Sequence, residues 1–175
     1  MLHPHMPHKG FTLIELMVTI SVAAILLTIA VPNFRTFVLN NRITGQANDM
    51  MTALNYARSE AIKRGLPVSM CAGTAAACTG LTDWSTGWIV FADPNNNGKL
   101  DLLLGEAPLR VWPALGGANT LNAGLAAVTF DSSGFARASA ATYRLCDSRG
   151  TGFARNIQLA GSGRAITATG AASCP

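Results

Sequence analysis

The sequence predicts an α+β chain: one long, kinked N-terminal helix, membrane-soluble at its start, packed on an antiparallel β-sheet head. Three observations predict it. Residues 16–34 form an apolar run without a charge. An apolar stripe at helical spacing continues from Ile43 to Ala61. Beyond Gly65 the pattern changes to short apolar runs separated by Gly, Asn, Asp and Ser, which read as strands and turns.

Length and composition bound the rest. At 175 residues, 49% of them apolar and 13% charged, the chain has room for one domain and an appendage. A disordered chain carries little hydrophobicity and high net charge, so this balance favours a packed core. All three histidines, His3, His5 and His8, precede Gly10. A chain cut at that point keeps no imidazole, which removes the Ser-His-Asp and Cys-His nucleophile pairs and the neutral histidine as metal ligand. No enzyme is expected, and no catalytic residue, cofactor or metal centre.

The helix is read in two parts, with 1–10 as a leader and 11–34 as the transmembrane part of a helix over 11–64. At about 1.5 Å per residue, the charge-free run nearly spans a hydrocarbon core of about 30 Å. A secretory signal places its cleavage site after the apolar stretch; here Lys9 and Gly10 come before it, so cleavage would leave the anchor on the mature protein. Glu15 is the odd residue, because a carboxylate in a membrane helix costs about 2.5–3.5 kcal/mol unless partnered. If Phe11 becomes the new N-terminus, its ammonium needs a counter-charge, and Glu15 of a neighbouring copy supplies one. The alternative is a carboxylate at headgroup level with no role. Pro32 inside the helix deletes a backbone hydrogen bond and predicts a kink.

In the second part, Ile43, Ala47, Met50, Leu54, Ala57 and Ala61 repeat at intervals of three and four, while Arg42, Gln46, Asp49 and Asn55 lie opposite. Gly65 and Pro67 end the helix. The head then runs over 65–175, with strands expected at 68–71, 88–92, 109–112, 128–130, 142–146, 157–159 and 165–168. The Gly/Ala-rich 115–127 is expected to be a loop. Four cysteines, Cys71, Cys78, Cys146 and Cys174, contain no C-x-x-C pair. In an exported chain an even count suggests two disulfides, and of three connectivities Cys71 with Cys78 and Cys146 with Cys174 is favoured over free buried thiols.

The run Gly10, Phe11, Thr12, Leu13, Ile14, Glu15 resembles the processing site of type IV pilins and type II secretion pseudopilins. The resemblance implies a type IV pilin-like fold, cleavage between Gly10 and Phe11 by prepilin peptidase, methylation of the Phe11 amine, and a Glu15 that guides subunits into a filament. Pro32 also matches the family, whose helix bends near this point. Further along, ARSEAIKRG at 57–65, GWIVFAD at 87–93, VTFDSSG at 128–134 and the late RNIQLAGSGR resemble the GspH/FimT group. Membership of that group implies a minor pilin of a type IV pilus, or the equivalent H-type pseudopilin of a type II secretion system. Its partners are then other major and minor pilins or pseudopilins. It is anchored by a single pass in the bacterial inner membrane with its head in the periplasm, and resides in the pilus or pseudopilus after assembly.

Two stretches of the head are candidate sites. Asp93 to Asp101 superficially resembles a calcium loop, with oxygens at Asp93, Asn95, Asn97 and Asp101, but Leu104 stands where an EF-hand needs a bidentate Glu; an Asn/Gly turn is the competing reading. Charge is also uneven. Residues 65–131 carry two basic and five acidic side chains, and 132–175 carry five arginines and one aspartate. Arg137, Arg144, Arg149, Arg155 and Arg164 interleave with Phe135, Tyr143 and Phe153, a mixture that can hold phosphates and stack bases, or form a solvated or subunit-facing surface. Some FimT-like pilins bind DNA through a C-terminal Gly-Arg-x-Arg element. Gly163 and Arg164 match its start, Ile166 replaces its second arginine, and Arg149 or Arg155 are the substitutes.

Overall fold

The computed structural model describes residues 10–136, 138–170 and 173–174; His3, His5, His8, Lys9 and Arg137 lie outside them. The chain divides into two compact units, one ending at Leu39 and the other covering Asn40–Pro175.

Helix α1 (Leu13–Arg64) runs through both, and the helical assignment is uninterrupted at Pro32. Just beyond the proline, the Thr36 hydroxyl donates to the Pro32 carbonyl at 3.1 Å. At the other end Gly65 adopts φ +65, a left-handed conformation that suits glycine, and its N–H reaches the Ala61 carbonyl at 3.0 Å. In the first unit every side chain from 10 to 38 is exposed. That part is held together by its own backbone hydrogen bonds, and its length and composition suit a membrane crossing.

The second unit is built on the buried face of α1. Ile43, Ala47, Met50, Leu54, Ala57 and Ala61, the whole predicted stripe, are buried, joined by Ala53. Each fully buried Ile, Leu or Met contributes about 1.5–3 kcal/mol, so this stripe is the principal fastening of the helix within the unit. The one difference lies at Gln46, expected on the open face. It is half-buried because its amide donates to the Gly116 carbonyl at 2.9 Å and accepts from Asn119 at 2.6 Å, tying α1 to the loop over 116–119.

The strands form two antiparallel sheets. In the first, β1 (Val68–Thr74) is central, flanked by β3 (Trp88–Ala92) and β6 (Ala127–Phe130), with β2 (Ala77–Cys78) turning back on it and β4 (Pro108–Trp112) beyond β3. The second sheet has the order β5 (Thr120–Asn122), β7 (Ala141–Cys146), β8 (Arg155–Leu159), β9 (Ala165–Thr169). One core joins them: Val68, Met70, Val90, Val128 and Phe130 of the first sheet and Leu121, Tyr143, Leu145, Ile157 and Leu159 of the second share a cluster with the helix stripe. The other face of β1 covers a smaller cluster of Cys71, Ile89 and Phe91. Trp84 meets Tyr143 edge-on at 5.1 Å and Trp88 stacks on Trp112 at 6.4 Å.

Each expected strand is present, but the expectation of a loop over 115–127 is corrected: β5 occupies Thr120–Asn122. Leu121 is the single large apolar residue among small and polar neighbours there, too little for a period of two. What makes it a strand is its ladder with β7 and the Trp84 N–H donated to its carbonyl at 2.8 Å. The two-residue β2 carries no sequence signal at all.

Candidate functional site

The start of α1 carries a reciprocal cap. The Glu15 N–H donates to the Thr12 hydroxyl, while the Thr12 N–H and hydroxyl both donate to Glu15 Oε2, each at 3.3 Å. Thr-x-x-Glu satisfies two of the helix's orphan donors and fixes the Glu15 rotamer. Among the described residues only one carboxylate oxygen is used. The spacing of Thr12 and Glu15 is legible in the sequence as a capping box, and that role was missed in favour of an intermolecular one.

Among the described residues, the arginines of the basic C-terminal quarter do not assemble into one surface. Arg149 is committed: it makes a 2.6 Å ion pair with Asp147, donates to Asn40 on α1 at 2.8 Å, and lies 4.2 Å over the Phe153 ring. Burial opposes ionisation of Asp147, but hydrogen bonds from the Arg149 side chain and backbone, with the charges of Arg149 and Arg155, outweigh it and hold the carboxyl below its ordinary value. Arg155 donates to the Phe153 and Ala154 carbonyls at 3.0 and 3.3 Å. Tyr143, expected as a stacking ring, is fully buried against Trp84 and cannot receive a base. Its hydroxyl has no hydrogen-bond partner among the described residues, and burial pushes its ionisation far above the normal range. Asn40 was invisible as a partner because it lies 109 residues from Arg149 in sequence.

Among the described arginines of this quarter, Arg144 and Arg164 remain. The register pairs Arg144 with Asn156 and Gln158 with Ile166, and the buried Tyr143, Leu145, Ile157 and Leu159 define the opposite face. Arg144, Asn156, Gln158 and Ile166 therefore share the outer face of the second sheet. Arg164 enters this face from the β8–β9 turn and lines a groove of about 650 Å³ with Thr142, Gln158 and Ile166. Gly163 has a separate task. A Cβ there would lie 2.0 Å from the Gly134 carbonyl oxygen, and its φ is +79, so a side chain is excluded by contact and by conformation. The Ala136 N–H completes the junction, donating to Gly161 at 2.9 Å.

The stretch from Asp93 to Asp101 is a closed turn. Both oxygens of the buried Asp93 carboxylate accept backbone N–H groups, from Asn97 at 3.1 Å and Gly98 at 2.8 Å, and the Ser69 hydroxyl also donates to it. Asn95 and Asn97 turn their amide nitrogens to Asp101, at 3.2 and 2.6 Å, so these side chains meet as donor and acceptor. Asn96 at φ 58 and Gly98 at φ 70 make the bend. Among the described residues no three His, Cys, Asp or Glu side chains converge. Disulfides join Cys71 to Cys78 and Cys146 to Cys174; the second ties the C-terminal tail to β7.

Comparison with known proteins bears on the family and the fold. The family model described as type II transport protein GspH matches residues 46–163, and the prokaryotic N-terminal methylation motif matches 5–31. The fold is similar to two crystal structures of the type IV minor pilin FimU of Pseudomonas aeruginosa, each at 22% identity. One superposes with a TM-score of 0.64 over 79% of this chain and 99% of that one. The other gives 0.61 over 75% and 99%.

Proposed function

Because the chain belongs to the GspH family, we propose that it is a minor pilin, a non-enzymatic subunit built into a type IV pilus. The observation that carries the reading is the change of character along α1: exposed and apolar before Leu39, packed through a buried stripe after Asn40. A helix of that kind serves as a membrane anchor before assembly and as the packing rod of a filament afterwards, since both settings cover apolar side chains.

In this reading, prepilin peptidase cleaves after Gly10 and the Phe11 amine is methylated. The methylation motif over 5–31 supports both steps. The anchor, 11–34, stays in the inner membrane as a single pass and the head, 65–175, faces the periplasm, where an oxidising setting favours the two disulfides. On entry to the filament Glu15 exchanges its long contacts with Thr12 for the Phe11 ammonium of a neighbouring subunit; a charge pair in apolar surroundings outweighs two exposed 3.3 Å hydrogen bonds. Glu15→Ala is expected to leave the precursor in the membrane and keep it out of sheared filaments.

A second reading, the H-type pseudopilin of a type II secretion system, is favoured by the description of the matching family model. Co-purification of the tagged chain with sheared pili supports the first reading; absence from pili, with loss of protein secretion on deletion, supports the second. DNA is proposed as a ligand of the pilin through Arg144 and Arg164, since Arg149 and Arg155, the other described arginines of this quarter, are occupied. The chain should retard duplex DNA in a salt-sensitive manner and Arg164→Ala should weaken it; no retardation at low salt ends that part of the proposal.

A further inference from the structure

Among the described residues, the free edges of the two sheets are protected in every case but one. β4 carries Pro108 and Arg110 on the border of the first sheet, and β2 is only two residues long. The outer side of β6 is met by Ser139, whose hydroxyl accepts the Thr129 N–H at 3.1 Å. β5 is covered by the segment before β3: Asp83 bridges Asn122, the Trp84 N–H reaches the Leu121 carbonyl, and the Leu121 N–H reaches the Ser85 hydroxyl. Prolines, charges, short strands and covering loops are the usual means of keeping an edge from pairing.

β9 has none of them. Among the described residues it pairs with β8 alone; its sequence AITAT contains no charge and no proline, and Ile166 through Thr169 are exposed. The direction of its backbone groups follows from the ladder. At one end the Ala160 N–H bonds to the Arg164 carbonyl, and at the other the Gly170 N–H bonds to the Ala154 carbonyl. Antiparallel pairs alternate between bonded and non-bonded. Leu159 with Ala165, Ile157 with Thr167, and Arg155 with Thr169 are consequently the non-bonded pairs. The N–H and C=O groups of Ala165, Thr167 and Thr169 point outward along the open edge.

We propose that this edge is a docking site for an extended peptide strand of another protein chain, added to the sheet beside β9 and carrying an acidic side chain. Main-chain hydrogen bonds to Ala165, Thr167 and Thr169 supply the pairing, as in other strand-addition complexes. The flanking side chains supply the preference. Ile166 lies on the outer face, and Arg164 lies on the same face two residues earlier, exposed and unpaired with any carboxylate among the described residues. Arg144 adds to that face a second cation with no carboxylate partner among the described residues. Since side chains on one face of a strand recur every second residue, the incoming segment presents an apolar side chain to Ile166 and, two positions along, an aspartate or glutamate to Arg164. The edge exists whether the chain serves a pilus or a secretion filament, so the inference does not rest on that choice.

The test uses the full-length chain in detergent micelles and a labelled peptide of about seven residues, threonine alternating with valine and one aspartate, read by fluorescence anisotropy. Thr167→Pro removes one outward N–H and leaves the bonds between β8 and β9 in place, because Thr167 does not donate to β8. It should weaken binding by roughly tenfold without lowering the melting temperature. The same peptide N-methylated at every amide should fail to bind the unaltered protein, a result independent of whether the proline variant folds. Replacing the aspartate by asparagine should weaken binding and reduce its salt dependence. Equal affinity for the methylated peptide overturns the proposal. So does self-association of the pure chain that Thr167→Pro abolishes, since the occupant would then be a second copy.

Discussion

The two halves of α1 have the same secondary structure and are stabilised by different surroundings. Before Leu39 no side chain is buried and none from 16 to 34 carries a charge; after Asn40 one face is buried in the head and the other is polar. Backbone hydrogen bonding is common to both, so it is the covering of side chains that decides where each half is stable. The first half needs lipid or neighbouring helices, whereas the second brings its own core. Under the proposed function, this is what lets the first half pass from a membrane to a filament while the head stays folded.

The largest effects should separate the halves. Leu54→Ala opens a cavity beneath the head and is expected to cost about 2–5 kcal/mol, read as a lower midpoint in denaturant unfolding. Leu26→Ala, an exposed position of the same helix, should leave that midpoint unchanged; an equal loss would break the comparison.

The disulfides come next. Replacing Cys146 and Cys174 by serine releases a separation of 28 residues and should cost about 3.5 kcal/mol in the chain-entropy account, against about 2.5 kcal/mol for Cys71 and Cys78, separated by 7. Reversal of that order would indicate that β1 and β2 depend on their bridge for more than loop closure.

A smaller, pH-dependent contribution comes from Asp147. Its folded-state carboxyl sits below the ordinary value of 3.8, so its stabilisation is complete above that value and is lost as pH falls through the lower, folded one. The melting temperature of the wild type should fall across that acid range, and Asp147→Asn should flatten the response. Smallest of all is Tyr143→Phe, which deletes a buried hydroxyl with no partner among the described residues; a change within about 1 kcal/mol, on the stabilising side, is expected.

Much of this was legible in the sequence because it is periodic or local. The stripe from Ile43 to Ala61, the Gly65 and Pro67 stop, and the strands beginning at Val68 and Trp88 are written in residues a few positions apart. What escaped is long-range. Leu121 becomes a strand through β7 and the Trp84 backbone, Gln46 is recruited by a loop 70 residues away, and Arg149 is claimed by Asn40. The basic quarter looked like a surface because arginines were counted without their partners. Once Asp147 and the Phe153 and Ala154 carbonyls are included, Arg144 and Arg164 are what is left among the described residues. Gly163, read as part of a ligand motif, is required where two turns touch.

The central claim is that the apolar first half of α1 stays on the working protein after the leader is removed. Intact-mass spectrometry of the membrane-extracted chain tests it directly. The account predicts a species beginning at Phe11 and carrying one added methyl group, with 13–64 retained. A species still beginning at Met1, or one lacking the apolar stretch altogether, would contradict it.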